Sequence, residues 1–235
     1  MDLYIGKCKL GNVPLIAGVL TDSDVAGLGP EHVDSADIIE LRVDMFDSIA
    51  PEHVEQVFRT AREKFGKPII ATVRDSKEGG RKEIQDRPAM YRRVIPFADA
   101  VDVEILAVDV MNEAKDLCRD NGRLLIGSYH NFESTPSDNF LEQLIATGRR
   151  HGADVVKIAV TSKEEDDFIR LMLLTLRHKS QGVITIAMGD KGLPSRVFSP
   201  LFGSLITYGS INKPSAPGQL SAVEVMDTFR KLKIR

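Results

Sequence analysis

ADVVKIAV, residues 153–160, is an almost continuous apolar run with one lysine in its middle. Unbroken β-branched runs of this kind, as opposed to strict apolar/polar alternation, are the pattern of parallel strands covered on both faces. Seven more follow the same style at fairly even intervals: PLIAGVL (14–20), ADIIELRVD (36–44), KPIIATVRD (67–75), AVDVEIL (100–106), RLLIGSYHNF (123–132), GVITIAMGD (182–190) and GSLITYGS (203–210). Segments of helical character separate them. PEHVEQVFRTAREKF (51–65) sets Val54, Phe58 and Phe65 near one face. PSDNFLEQLIATGRRHG (136–152) has a polar start and a glycine stop, and EEDDFIRLMLLTLRHK (164–179) opens with acids and closes with bases, as the helix dipole favours. The connection 191–202 is short and weakly helical. Eight strands alternating with helical connections predict a single-domain (β/α)8 TIM barrel over residues 1–235, with an open doubly wound sheet as runner-up.

Composition sets the outer limits. The chain has 235 residues, 43% of them hydrophobic, and a net charge of −3 with mixed signs, so nothing points to nucleic acid or an anionic membrane. Cys8 and Cys118 lie far apart in no metal or redox spacing, which suits structural thiols in a reducing cytoplasm. The N-terminus lacks the layout of a signal peptide, and no apolar run is long enough to span a bilayer. No phosphate-binding glycine fingerprint and no cluster of metal-ligand spacing is found.

In a barrel, the carboxyl ends of the strands face the active site. The unusual polar residues fall at those ends: Glu40, Arg42 and Asp44; Arg74, followed by Glu78-Gly79-Gly80; Asp102 and Glu104; His130; Lys157; then Arg196 in the seventh loop and KPSAPGQL (213–220) in the eighth. Period-2 geometry puts Glu40, Arg42 and Asp44 on one face, the barrel interior. Bland readings stand beside these. A strand-end lysine can snorkel to solvent, the charged stripe can be a structural ion network, and SKEGG can be an ordinary turn. Lys157 resists the first reading, because Val155, Val156, Ile158 and Val160 surround it. A desolvated lysine of lowered pKa is a neutral amine that can form a Schiff base with a ketone or aldehyde. His130, on the neighbouring strand, can then serve as general acid/base, Glu78 can orient its ring, and Arg196, Arg42 and Arg74 can hold a substrate anion.

ELRVD (40–44), TVRDSKEGG (72–80), DVE (102–104), YHNF (129–132), VVKIAV (155–160), SR (195–196) and SAPGQ (215–219), in this order along nearly the whole chain, resemble the type I 3-dehydroquinate dehydratase family of the shikimate pathway. The resemblance implies a (β/α)8 barrel, usually a homodimer, that works without metal or dissociable cofactor and converts 3-dehydroquinate to 3-dehydroshikimate and water. It implies Lys157 as the imine-forming lysine, His130 as general acid/base and Glu78 as its partner. Arg196 would pair with the substrate carboxylate. Glu40, Arg42 and Arg74 would contact substrate hydroxyls or fix the pocket, and Ser215 and Gln219 would meet the substrate from the closing loop. Asp44, Asp102 and Glu104 would set the charge state of the bases, and Met188 and Phe132 would be apolar walls. Val19 stands where some members carry a serine, so the first strand receives no site residue. Two competing readings are a class I aldolase or transaldolase acting on a sugar phosphate, and a non-catalytic barrel that senses a carboxylated metabolite.

Overall fold

The computed structural model describes residues 2–213 and 219–235. A two-stranded hairpin, β1 (Tyr4–Ile5) and β2 (Cys8–Lys9), comes first. Eight strands then follow: β3 (Leu15–Leu20), β4 (Ile38–Arg42), β5 (Ile69–Thr72), β6 (Ala100–Glu104), β7 (Leu124–Asn131), β8 (Val155–Thr161), β9 (Val183–Met188) and β10 (Ile206–Ser210). Each of β3 to β8 pairs in parallel with the next strand in sequence, and β10 pairs in parallel with β3. Between β9 and β10 the ring is joined by a parallel bridge, Val183 to Ser204, with Leu205 N–H donating to Val183 O at 2.9 Å. The eight predicted strands are therefore present in a nearly closed (β/α)8 barrel.

Helices α1 (Asp22–Gly27), α2 (Pro51–Phe65), α3 (Arg87–Val94), α4 (Val108–Asn121), α5 (Asp138–Arg150), α6 (Glu165–His178), α7 (Ser195–Phe202) and α8 (Ala222–Lys231) cover the outside. Their causes are local. In α2, Pro51 sits in the first turn, where its missing N–H costs nothing. Val54, Val57, Phe58, Ala61 and Phe65 make its buried stripe, and Gly66, at φ 59°, supplies the left-handed stop.

The connection 191–202 is more helical than its sequence suggests. Pro200 lies inside α7 and cannot donate to the Arg196 carbonyl. Thr207 Oγ1 of β10 donates to that carbonyl instead, at 2.8 Å. A tertiary hydrogen bond replaces the missing helical one, and it also ties the start of α7 to the barrel wall.

A recurrent device fastens the lower rim. Asp37, just before β4, accepts the Ile16 N–H of β3 at 2.9 Å. Asp99, just before β6, accepts the Ile69 N–H of β5 at 2.9 Å. Asp154, just before β8, accepts the Leu125 N–H of β7 at 2.8 Å, and Ser204 Oγ does the same for Thr185 of β9 at 3.0 Å. An N–H at a strand's first residues has no ladder partner, and a buried donor left unpaired is costly. Inside the barrel, the lower layers are apolar: Leu15, Ile38, Ile70, Ala100, Leu124, Ile126, Val155, Ile184 and Ile206 pack together, with Ile5 and Leu10 of the hairpin segment closing the floor.

Candidate active site

The same two-residue alternation that fills the floor with aliphatic side chains fills the mouth with charge. Stepping up from Ile38 leads to Glu40 and Arg42, from Ala100 to Asp102 and Glu104, from Ile126 to Ser128 and His130, from Val155 to Lys157, and from Ile206 to Tyr208. In register, Ser128 of β7 lies opposite Lys157 of β8, and His130 opposite Ala159. His130 therefore stands two positions above Lys157 on the adjacent strand, a rise of about 6.6 Å.

Lys157 is 4% exposed. Its Nζ donates to Asp102 Oδ2 at 3.0 Å and lies 3.5 Å from Glu40 Oε1. Asp102 also accepts from Arg74 Nη2 at 2.7 Å and Ser128 Oγ at 2.6 Å. Glu104 takes Arg74 Nη1 at 2.7 Å, the Asp75 N–H at 3.0 Å and the Arg87 guanidinium. Glu40 accepts from Thr72 Oγ1 at 2.8 Å. Three acids (Glu40, Asp102, Glu104) thus face three bases (Arg74, Arg87, Lys157), a balanced set when the lysine is charged.

This balance corrects the expectation of a neutral lysine. Burial disfavours the ammonium, but Asp102 and Glu40 outweigh it and hold the Lys157 pKa above the ordinary lysine value. Arg74 opposes them without prevailing. Asp102, though buried, is held well below the carboxylate range by Arg74 and Lys157. Arg74 itself is engaged by Asp102, Glu104 and Ser128, and it is absent from the residues that border the Lys157 pocket. Its place is beneath the pocket, holding the acids in position.

His130 Nδ1 lies 3.1 Å from Glu78 Oε2, and the His130 backbone N–H donates to the same oxygen at 2.8 Å. Burial, then the charges of Arg74 and Lys157, push the imidazole pKa well below its usual value. Burial pushes the Glu78 carboxyl up to about 8. Both shifts act against charge: burial holds the imidazole toward its uncharged form and raises the proton affinity of the carboxyl beside it.

The SKEGG turn delivers Glu78. Asp75 caps a short helical turn over Ser76–Glu78 by accepting the Lys77 N–H at 2.9 Å, and Gly79 ends it at φ 86°. A Cβ on Gly79 would lie 2.5 Å from the Phe132 ring, and one on Gly80 would lie 2.3 Å from the Arg74 carbonyl oxygen. Both glycines are therefore required by the turn that aims the carboxyl, so the turn reading and the site reading describe one object. Asp44, bound by Arg42 at 2.8 Å through two hydrogen bonds, accepts the Arg81 N–H at 3.2 Å and anchors the far end of this loop.

Val19, Glu40, Arg42, His130, Phe132, Lys157, Met188, Arg196, Tyr208 and Gln219 share one pocket at the barrel mouth. Glu78 reaches it through His130, and Ser215 lies outside the described residues. Arg196, at the start of α7, is 2% exposed. Its Nε and Nη2 have no hydrogen-bond partner among the described residues, and burial alone pulls its pKa down to about 10. Three residues escaped the sequence reading: Tyr208, Ser128 and Arg87. The first two share the inward parity of Lys157 and His130, so strand alternation could have found them. Arg87 comes from a helix, and no strand-end rule reaches it. No group of metal-ligating side chains occurs among the described residues, and no described helix is long and apolar enough to cross a membrane.

Fold and site define a (β/α)8-barrel enzyme with a buried lysine–carboxylate core at its mouth. Comparison with known proteins narrows this class. The sequence model of the Type I 3-dehydroquinase family matches residues 21–235. The 3-dehydroquinate dehydratase of Thermodesulfovibrio yellowstonii is 43% identical over 229 residues, covering 96% of this chain and 99% of the relative. Among solved structures, the 3-dehydroquinate dehydratase of Geobacillus kaustophilus superposes with a TM-score of 0.90 at 25% identity, over 98% of this chain and 97% of that one. The type I enzyme of Clostridium difficile, with covalently modified comenic acid, gives 0.87 at 25% identity, over 99% and 98%. The chain belongs to the type I 3-dehydroquinase family.

Proposed function

We propose that this chain is a single-domain 3-dehydroquinate dehydratase that forms an imine between Lys157 and the substrate ketone, and that it needs no metal or dissociable cofactor. The observation that carries the reading is Arg196. A buried guanidinium without an acid among the described residues, in the pocket of a lysine and a histidine, suits a substrate that brings its own carboxylate. A sugar phosphate would also bring an anion, but the family assignment favours the carboxylated substrate. The covalently modified comenic acid described with the Clostridium difficile enzyme is in keeping with covalent chemistry in a relative.

The charge of Lys157 has a function in this reading. Imine formation as a whole converts a ketone and an ammonium into an iminium and water. An ammonium has no free electron pair, so Lys157 first passes a proton to a carboxylate beside it, Asp102 at 3.0 Å or Glu40 at 3.5 Å, and attacks as the amine; that proton and a second from the nitrogen leave with the oxygen as water, and the iminium nitrogen is again cationic. Asp102 and Glu40 therefore stabilise nitrogen with a positive charge before and after the bond forms, and it is the iminium that draws electrons from the adjacent C–H. Neutral His130 accepts the proton from that carbon. It returns the proton to the hydroxyl that departs as water, and hydrolysis of the product imine regenerates Lys157. Glu78 orients the ring. Glu40, Arg42, Ser215 and Gln219 hold substrate hydroxyls.

The test is turnover: 3-dehydroquinate should give rising absorbance of a conjugated enone with the purified protein alone. Absence of enone with 3-dehydroquinate, and cleavage of sugar phosphates, would replace this function by the aldolase reading.

The reading includes a cytoplasmic homodimer. Cys8 and Cys118 are both free thiols, as suits a reducing compartment. Ile169, Leu173 and Leu176 on α6 and Phe198 and Leu201 on α7 are exposed on neighbouring helices. The first turn of α6 is acidic and its last turn basic, so two copies of α6 packed antiparallel about a two-fold axis set unlike charges opposite each other.

A further inference from the structure

Tyr208 points inward from β10, is 4% exposed, and borders the same pocket as Lys157, Glu40 and Arg196. Lys157 Nζ stands 4.2 Å from the centre of its ring. The phenol oxygen is buried and has no hydrogen-bond partner among the described residues. The fold treats its other fully buried phenol differently. Tyr91, in the outer layer, donates to the Asp102 carbonyl at 2.7 Å and accepts the Val73 N–H at 3.0 Å. A buried hydroxyl is ordinarily paired, and the exceptions call for an explanation. Two such exceptions, Tyr208 and Arg196, lie in one pocket with the lysine, so both are accounted for by a ligand that supplies the missing partners.

We propose that the Tyr208 hydroxyl donates a hydrogen bond to the substrate oxygen on the carbon that Lys157 attacks, which makes Tyr208 a further substrate-contacting residue. The placement follows from the ring: Nζ lies over its face, and the substrate oxygen nearest to Nζ is the one on the carbon to which Nζ bonds. As the N–C bond forms, the carbonyl π pair moves onto that oxygen, and a fixed O–H donor stabilises the charge that develops there. Tyr208 keeps its proton throughout; the two protons of the departing water come from the ammonium. Burial pushes the phenol above the ordinary tyrosine range, so it remains an O–H donor across the working pH.

This inference rests on the lysine–imine reading, and Tyr208→Phe separates the two. The substitution keeps the ring and its contact with Lys157 and removes only the hydroxyl. It should lower kcat/KM about tenfold, the scale of one hydrogen bond, slow borohydride-trappable adduct formation with 3-dehydroquinate by the same factor, and leave Tm equal to or above wild type. An adduct in wild type with Tyr208→Phe kinetics within twofold of it overturns the Tyr208 contact alone. A loss of activity accompanied by a lower Tm also overturns it, since the hydroxyl would then be structural. No adduct in wild type overturns both readings.

Discussion

At the scale of single residues, the sequence marks where charge goes but not which state it takes. Lys157 in an apolar run reads as a lysine stripped of water, and burial does oppose its charge. The acids that reverse the outcome, Glu40 and Asp102, lie 117 and 55 positions away in the chain, and only the closed ring brings them within 3.5 and 3.0 Å. His130 leads to a pH prediction. In the proposed mechanism its neutral form is the base, so kcat/KM should fall as pH drops through the free enzyme's imidazole pKa. Burial, Arg74 and Lys157 hold that pKa below the ordinary value. The acid limb of the kcat/KM profile should therefore lie below about pH 6.5; a midpoint at or above it contradicts the assignment. Arg196 leads to another. Arg196→Gln should weaken kcat/KM roughly ten- to hundredfold, mainly through KM, because a charged hydrogen bond is worth about 1.5–3 kcal/mol. Its Tm should not fall, since Nε and Nη2 of the guanidinium removed have no hydrogen-bond partner among the described residues. Unchanged KM would displace the substrate carboxylate from this residue.

At the scale of elements, long patterns were readable and short ones were not. The strand runs and α2, α5 and α6 stand within a few residues of their sequence limits, because each has enough turns or alternations to show a period. The hairpin of β1 and β2 is too short to show one, and Pro200 disguises α7, whose support comes from Thr207 on another element. The aspartates under β4, β6 and β8 repeat as Ala-Asp (36–37, 98–99, 153–154), yet their purpose appears only once the neighbouring strand is in place. Asp154→Ala leaves the Leu125 N–H unpaired and should cost about 1–3 kcal/mol of stability by denaturant unfolding, with kcat/KM near wild type. A loss of activity without loss of stability would mean that the rim is not merely structural. Gly80→Ala should act in the opposite sense. Its Cβ meets the Arg74 carbonyl at 2.3 Å, so the turn must move and Glu78 with it. Steady-state kinetics should show kcat reduced at least about tenfold, as is usual when a group that positions the general base is displaced; full activity would separate Glu78 from His130.

At the scale of the whole molecule, the barrel and the order of polar residues around its mouth were legible, because parallel strands, their carboxyl ends and a two-residue period constrain one another. The loop bearing Ser215 was legible only through resemblance, and the exposed face of α6 and α7 was not, since apolar residues such as Ile169, Leu173 and Leu176 carry no mark in sequence that separates an exposed face from one packed on the barrel. Sedimentation should show a dimer, and Leu173→Glu should convert it to a monomer that keeps its fold; an unaltered dimer would move the interface elsewhere. One bond, between Lys157 and the substrate ketone carbon, decides the proposed chemistry. Borohydride reduction in the presence of 3-dehydroquinate, followed by intact mass and peptide mapping, should add one substrate-derived mass to the chain and place it on Lys157, and Lys157→Ala should show neither adduct nor measurable turnover. An unmodified chain in a sample that still makes enone, or an adduct on another residue, would contradict the account.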